Sequence, residues 1–355
     1  MPFPMQLSDN ERIKFQRQLN LPGFGEAGQL KLKGAHVLII GLGGLGNPVA
    51  LYLAAAGVGA LTLVDFDSVE TSNLHRQVLF GINDCGKPKV EVAAEKLRML
   101  HPETRITTLL TRVDALNLAG MMVGVDLVAD CTDNFETRYT ISDTLSPLNI
   151  PLVIGAAHQH EGQLALFHGN AAVSYRDAYP LPPVSGRVGT CETEGVSGPM
   201  VGIIGSMMAQ CILDFLVLGT SEADGRIIRF DGRDFKTYVA TIQKQLETLA
   251  PPPKVMALRM EELEKLLEQA TPPQLIDVRE SFEHEDFHIG GTCLPAGDVK
   301  EWAHQLKEDS SYLLYCNSGF MSYQAAYVLQ YERPDLRIHH LEGGLEAWRK
   351  FHERS

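Results

Sequence analysis

Gly41-Leu-Gly-Gly-Leu-Gly46 follows a short apolar run at 36–40 and opens a helix-like stretch at 45–56. A glycine-rich turn between strand and helix can bind phosphate. Free N–H groups and partial positive charge gather at the helix N-terminus, and glycines let an anion reach the backbone. In this pattern Gly41 makes the tight turn, Gly43 and Gly44 admit a phosphate, and Gly46 lets helix and sheet approach. Asp65 closes the next apolar run, nineteen residues after Gly46, where a carboxylate can accept hydrogen bonds from ribose hydroxyls. These residues alone specify a nucleotide and leave NAD, FAD and ATP open.

The residues that follow favour ATP. Ser72-Asn-Leu-His-Arg-Gln77 supplies an amide, Asn73, and a guanidinium, Arg76, with Leu74 and His75 between them. Gly86-Lys-Pro-Lys89 opens a helix with two cations, and Asp130-Cys-Thr-Asp-Asn134 closes a further strand with Asp133 as a possible magnesium ligand beside Asn134. Arg17 adds a cation early in the chain. Several cations and a carboxylate around one nucleotide suit a triphosphate, its metal and a pyrophosphate leaving group, whereas hydride transfer needs one pyrophosphate site and a dry nicotinamide pocket.

These residues need rigid elements to hold them. Strand-like runs at 36–40, 61–65, 126–130 and 151–155 alternate with helix-like stretches at 45–56 and 88–100, the signature of an α/β, doubly wound Rossmann-like parallel sheet. Pro251-Pro-Pro253 cannot continue a helix or a central strand and marks a linker at 249–255, between a first domain at 1–248 and a second at 256–355. The second, smaller domain repeats the α/β logic, with strands at 274–278, 312–315 and 337–341 and helices at 260–269, 322–329 and 344–350. A length of 355 residues is ample for two cores.

The bulk composition excludes some functions. A net charge of −13 argues against nucleic-acid binding and against a polybasic membrane anchor. The apolar stretch at 200–218 reaches membrane-spanning length, but Gly202, Gly205, Ser206, Gln210 and Asp214 mark it as a core helix. The first ten residues do not read as a secretory signal, and a cytoplasmic location is expected. None of the six cysteines forms a CxxC pair, so neither a disulfide framework nor a structural zinc site is expected. Cys131 and Cys211 read as packing, and Cys85 carries no signal.

The ordered set of the glycine turn, Asp65, Ser72-Asn-Leu-His-Arg-Gln77, Lys89, Asp133-Asn134 and Arg138 resembles the MoeB/ThiF family, bacterial relatives of ubiquitin-activating enzymes. The resemblance covers roughly residues 9–240. It implies ATP with Mg2+ and adenylylation of the C-terminal glycine of a small ubiquitin-like sulfur-carrier protein of the MoaD or ThiS kind. It further implies that Asp65 binds ribose, that Asn73, Arg76 and Lys89 hold phosphates, and that Asp133 binds magnesium. Arg17 would reach into a partner subunit's site, which implies a homodimer. The family's reactive cysteine corresponds to Cys191, in Gly189-Thr-Cys-Glu-Thr-Glu-Gly-Val196. Small neighbours suit an exposed nucleophile there, while Glu192 and Glu194 would raise its pKa. Many members carry two zinc-binding CxxC pairs; the corresponding places, near 173–177 and 243–248, hold no cysteine, which again predicts no zinc.

Ile276-Asp-Val-Arg-Glu280, His288-Ile-Gly-Gly291, Cys316-Asn-Ser-Gly-Phe-Met-Ser322 and Gly343-Gly-Leu-Glu-Ala-Trp348 resemble a single-domain rhodanese over 255–351. A cysteine at a strand end, followed by a loop that curls into a helix, faces successive N–H groups that stabilise a thiolate or persulfide. Cys316 is therefore the expected sulfur carrier. The rhodanese loop usually ends with an arginine before its serine, and Met321 stands there instead, which disfavours the thiosulfate dianion. A persulfide handed over by a protein such as a cysteine desulfurase is the expected source. Cys293 reads as structural, with a resolving role open. The expected reaction is ATP-dependent adenylylation of the carrier, then attack of a Cys316 persulfide to give a thiocarboxylate. Molybdopterin, thiamine and thiolated tRNA remain alternative pathways for that sulfur. Two other classes stay open: an adenylating enzyme acting on a small molecule or RNA, and a binding or regulatory protein with a degenerate rhodanese module.

Overall fold

The computed structural model describes residues 6–168, 173–180, 195–244, 255–267, 272–317 and 319–352. The chain divides into two compact units; among the described residues the first ends at Lys244 and the second begins at Val255. The linker expected at 249–255 lies almost wholly outside the described residues.

The first unit is built on an eight-stranded sheet in the order β3-β2-β1-β4-β5-β6-β7-β8. Its strands are β1 (His36–Ile40), β2 (Ala60–Val64), β3 (Arg105–Leu109), β4 (Leu127–Asp130), β5 (Leu152–His158), β6 (Glu161–Phe167), β7 (Arg226–Asp231) and β8 (Lys236–Thr241). The first five are parallel, and β1, β2 and β4 are buried on both faces, which is why they read as apolar runs, whereas the edge strand β3 is half exposed. The strand order reverses at β1 and β4, leaving a crevice beyond their carboxyl ends where α/β sheets bind ligands.

The doubly wound half thus agrees with the sequence reading, but three further strands, β6 to β8, extend the sheet in antiparallel fashion. Strands β6 and β8 follow short turns instead of crossover helices, and β7 follows the long segment that holds the helix Gly198–Leu218 yet pairs antiparallel, so strand–helix alternation could not signal them.

Four helices matter for the site: α1 (Gly46–Ala55), α2 (Lys89–Leu100), α3 (Phe135–Leu145) and α4 (Gly198–Leu218). The last has a mean hydropathy of 2.0. It packs on the sheet and on α1 through buried Val201, Ile204, Met208 and Ile212. The face that carries these residues is buried, while the rest of the helix is partly covered, with Pro199, Gln210 and Leu218 exposed.

The second unit has a five-stranded sheet, in the order β11-β10-β12-β13-β9, with every pairing parallel. Its strands are β9 (Met256–Leu258), β10 (Gln274–Asp277), β11 (Thr292–Cys293), β12 (Ser311–Tyr315) and β13 (Arg337–Leu341). Both edge strands are too short to show in sequence periodicity. Its longer helices are α5 (Met260–Leu267), α6 (Ser281–Asp286), α7 (Phe320–Glu332) and α8 (Gly344–His352).

Candidate functional site

The glycine turn lies at the carboxyl end of β1, in the crevice where the strand order reverses. Gly41 has φ +89°, a conformation that L side chains rarely adopt, and its N–H is held by Val64 O at 2.8 Å. A side chain on Gly46 would begin 2.0 Å from Gly41 O, so only glycine lets α1 start this close to the turn. A Cβ on Gly43 would meet nothing nearer than Gln77 Nε2 at 3.9 Å, which leaves its backbone open to an anion. Gly44 differs from expectation: a Cβ there would lie 3.0 Å from Val201 Cγ2, so its bareness serves the approach of α4.

Asp65 is buried, and both its oxygens accept backbone N–H groups, from Leu42 at 2.6 Å and Asp67 at 2.8 Å. It therefore braces the glycine turn. Burial pushes its carboxyl up, opposed by those N–H groups and by the nearby Lys89 charge. Lys89 is itself buried and donates to Asp67 Oδ2 at 2.9 Å. Asp67 escaped the sequence reading, although Asp65 and Asp67, two residues apart, point to the same side of extended chain. Gln77 was missed as well. It is buried beside Gly43, and its Oε1 has no partner among the described residues.

Asn73 and Arg76 are brought together, with Arg76 Nη2 donating to Asn73 Oδ1 at 2.6 Å. Arg76 Nη1 lies 2.8 Å from His75 Nε2 and reaches Ser72 O at 3.4 Å. Ser72 and His75 are exposed, and the Ser72 hydroxyl donates to Glu70 at 3.2 Å, while Leu74 packs against the core. Arg17 is exposed on the short helix Gln16–Leu19 and has no hydrogen bond or ion pair with another described residue. At the end of β4, Asn134 caps α3 by accepting from Thr137 N at 2.9 Å.

Asp133 is exposed and makes no hydrogen bond to another described residue. A free carboxylate at the crevice fits magnesium, which keeps several waters and takes one or two carboxylates together with phosphate oxygens. Among the described residues, no three or more His, Cys, Asp or Glu side chains gather as a metal cage.

In the second unit Cys316 is buried at the end of β12, and its Sγ accepts Ser322 N–H at 3.4 Å, with Ser322 Oγ 3.7 Å away. The loop is gripped from behind by α8: Leu345 N donates to Cys316 O and Glu346 N to Asn317 O, both at 2.9 Å. Gly344, with φ +56°, permits this, since a Cβ would lie 2.3 Å from Cys316 O. The paired glycines of the final motif thus fix the cysteine loop. Asp277 and Arg279 form a buried two-pronged ion pair, and Arg279 Nη1 reaches Asn317 Oδ1 at 3.1 Å. Met321 is half-buried against the unit's core, where the expected arginine would have been.

Cys293 sits on β11, paired in register with Asp277, which pairs in turn with Tyr315. Two strand spacings of about 4.8 Å separate Cys293 from the Cys316 strand, too far for a direct disulfide without backbone movement. Cys131 and Cys211 are buried, and burial drives both thiols up, Cys211 to about 11. Cys85 is half-buried beside Thr71 Oγ1 at 3.5 Å. Cys191 lies outside the described residues.

The ThiF family pattern matches residues 15–249. The chain belongs to the ThiF family. A rhodanese-like domain follows it at 259–351. The probable adenylyltransferase/sulfurtransferase MoeZ of Mycobacterium tuberculosis is 34% identical over 371 residues, which cover 97% of this chain and 94% of that one. Adenylyltransferase and sulfurtransferase MOCS3 of Drosophila willistoni is 35% identical over 383 residues, with 97% and 84% covered. This ThiF-family chain is accordingly an enzyme of the adenylyltransferase/sulfurtransferase kind. Among solved structures, E. coli MccB with MccA-N7isoASN shares the fold at TM-score 0.61 and 20% identity, covering 68% of this chain and 75% of that one. PaaA does so at TM-score 0.58 and 22% identity, covering 68% and 77%.

Proposed function

We propose that this enzyme adenylylates the C-terminal glycine of a small ubiquitin-like sulfur-carrier protein and then converts it to a thiocarboxylate with sulfur carried on Cys316. The observation that carries the proposal is one chain holding two matched sites: a crevice with an open glycine turn braced by Asp65, whose carboxyl feels the Lys89 charge, and a strand-end thiol that accepts an N–H from its own helix.

In the first step a carrier carboxylate oxygen attacks the α-phosphorus of ATP, an acyl-adenylate forms, and pyrophosphate leaves. Gly43 N–H and the N-terminus of α1 hold phosphate, Asp65 fixes the turn and faces the ribose, and Lys89, Asn73 and Arg76 stabilise charge on the departing group. Magnesium held by Asp133 would neutralise phosphate charge when bound. Arg17 would complete the site of a second subunit in a homodimer.

In the second step the terminal sulfur of a Cys316 persulfide attacks the acyl carbon and AMP leaves, giving an acyl disulfide. The persulfide itself comes from a protein donor such as a cysteine desulfurase. Attack by the Cys191 thiolate on Cys316 Sγ then releases the thiocarboxylate and leaves a Cys191–Cys316 disulfide, which a thiol reductant reopens. Joining both modules in one chain raises their mutual concentration to the order of millimolar.

Isotope exchange between ATP and pyrophosphate tests the first step. It is expected only when a carrier with a free C-terminal glycine is added. Exchange without any carrier would instead indicate a small-molecule substrate.

A further inference from the structure

Asp130 and Arg138 take no part in the chemistry above, yet they are among the most deeply buried charges of the first unit, 0% and 6% exposed. Asp130 ends β4. Its Oδ1 accepts both the Thr132 N–H at 2.9 Å and the Thr132 hydroxyl at 2.7 Å. Arg138, on α3, donates through Nη2 to Thr132 O at 2.6 Å and to Gly155 O at 3.1 Å. Thr132 is thus gripped at its N–H, its hydroxyl and its carbonyl, and the next residue is Asp133.

This arrangement is not the one stability alone would favour. Burial pushes the Asp130 carboxyl up, with the Arg138 charge opposing it. Asp130 Oδ2 and Arg138 Nε are buried without a partner among the described residues. Two buried opposite charges that make no direct contact, each with an unmet polar atom, cost more than apolar side chains of similar volume. What the pair accomplishes is local: it fixes both faces of the peptide that leads into Asp133, while the Asp133 side chain stays exposed.

We propose that Asp130 and Arg138 are positioning residues, which hold the Thr132 peptide so that the Asp133 carboxylate meets the cation bound to the triphosphate. The inference rests on the reading of Asp133 as the cation ligand. It requires that the cluster act on metal affinity and leave metal-free nucleotide binding nearly untouched.

The test is Mn2+ binding to the full chain, followed by electron paramagnetic resonance with a non-hydrolysable ATP analogue present. Thr132→Val removes one grip and Arg138→Lys removes the forked contact while keeping the charge. Loss of an outer partner typically costs 10–100-fold in metal affinity. Mn2+ binding about 10-fold weaker in Thr132→Val, and weaker still in Arg138→Lys, is expected, with analogue affinity in EDTA within about threefold of the parent. Should Arg138→Lys fail to fold, Thr132→Val decides alone. Parental Mn2+ affinity in the folded variants, with loss only in Asp133→Asn, would overturn the positioning role. Parental affinity in Asp133→Asn would overturn the Asp133 reading and this inference with it.

Discussion

The buried ammonium of Lys89 is held 2.9 Å from Asp67 Oδ2, on the one of these two side chains that remains half-exposed. A cation kept in place by a partner that faces solvent is ordered before a substrate arrives. It can turn toward phosphate at little reorganisation cost.

Lys89→Ala is therefore expected to slow carrier-dependent pyrophosphate exchange by about 100-fold or more, with folding little changed. Asp67→Asn should act differently. It leaves a buried cation with a weaker partner, and costs about 1–2 kcal/mol in urea unfolding. Equal activity losses without any stability change in Asp67→Asn would contradict the assigned division of labour.

Gly344→Ala is expected to separate the two activities. The added Cβ would lie 2.3 Å from Cys316 O at a φ of +56°, so the cysteine loop must shift. Sulfur transfer should fall at least 10-fold. Exchange of pyrophosphate should stay at the parental rate, because the glycine turn belongs to the other unit. Parallel loss of both would show that the variant acts through general unfolding.

Much of this was legible in sequence where one residue answers to its own neighbours. The glycine turn, Asp65 and the strand-end Cys316 declare themselves through local spacing and the elements on each side. What depended on distant chain was hidden. Gly44 owes its bareness to Val201, the final Gly343-Gly344 pair to the Cys316 loop, and Asp67 to Lys89, and none of these partners is near in sequence. The antiparallel strand β8 was missed for another reason: it is exposed along its whole length, so no alternation of apolar and polar residues marks it.

The second unit should lose stability in acid in two stages, and tryptophan fluorescence can follow it alone because both tryptophans, Trp302 and Trp348, belong to it. Burial pushes His340 down to about 4, with a hydrogen bond to the Gly319 backbone opposing. The unfolded chain then binds the proton first. Stability is full above about pH 6.5 and declines as pH falls from there toward the folded value. Asp277 works lower down: burial raises its carboxyl, but Arg279 and His284 outweigh it and hold it below the ordinary range. Its contribution is present above about pH 4 and is lost below. His340→Phe should flatten the upper stage of urea midpoint against pH and leave the lower one. An unchanged upper slope would assign it to another group.

Met321→Arg should restore a cation beside the cysteine loop and raise transfer of sulfur from thiosulfate to cyanide by about 10-fold. Unchanged thiosulfate turnover in a folded variant would show that something other than charge limits that donor.

The most direct test of the whole account is the mass of a candidate carrier after incubation with the enzyme, ATP, Mg2+ and a persulfide donor. The account predicts a gain equal to replacing one C-terminal carboxylate oxygen by sulfur, absent when ATP is omitted and sharply reduced in Cys316→Ala, although that variant still exchanges pyrophosphate. A full yield of thiocarboxylate from Cys316→Ala, or none from the parent with any carrier it adenylylates, would contradict it.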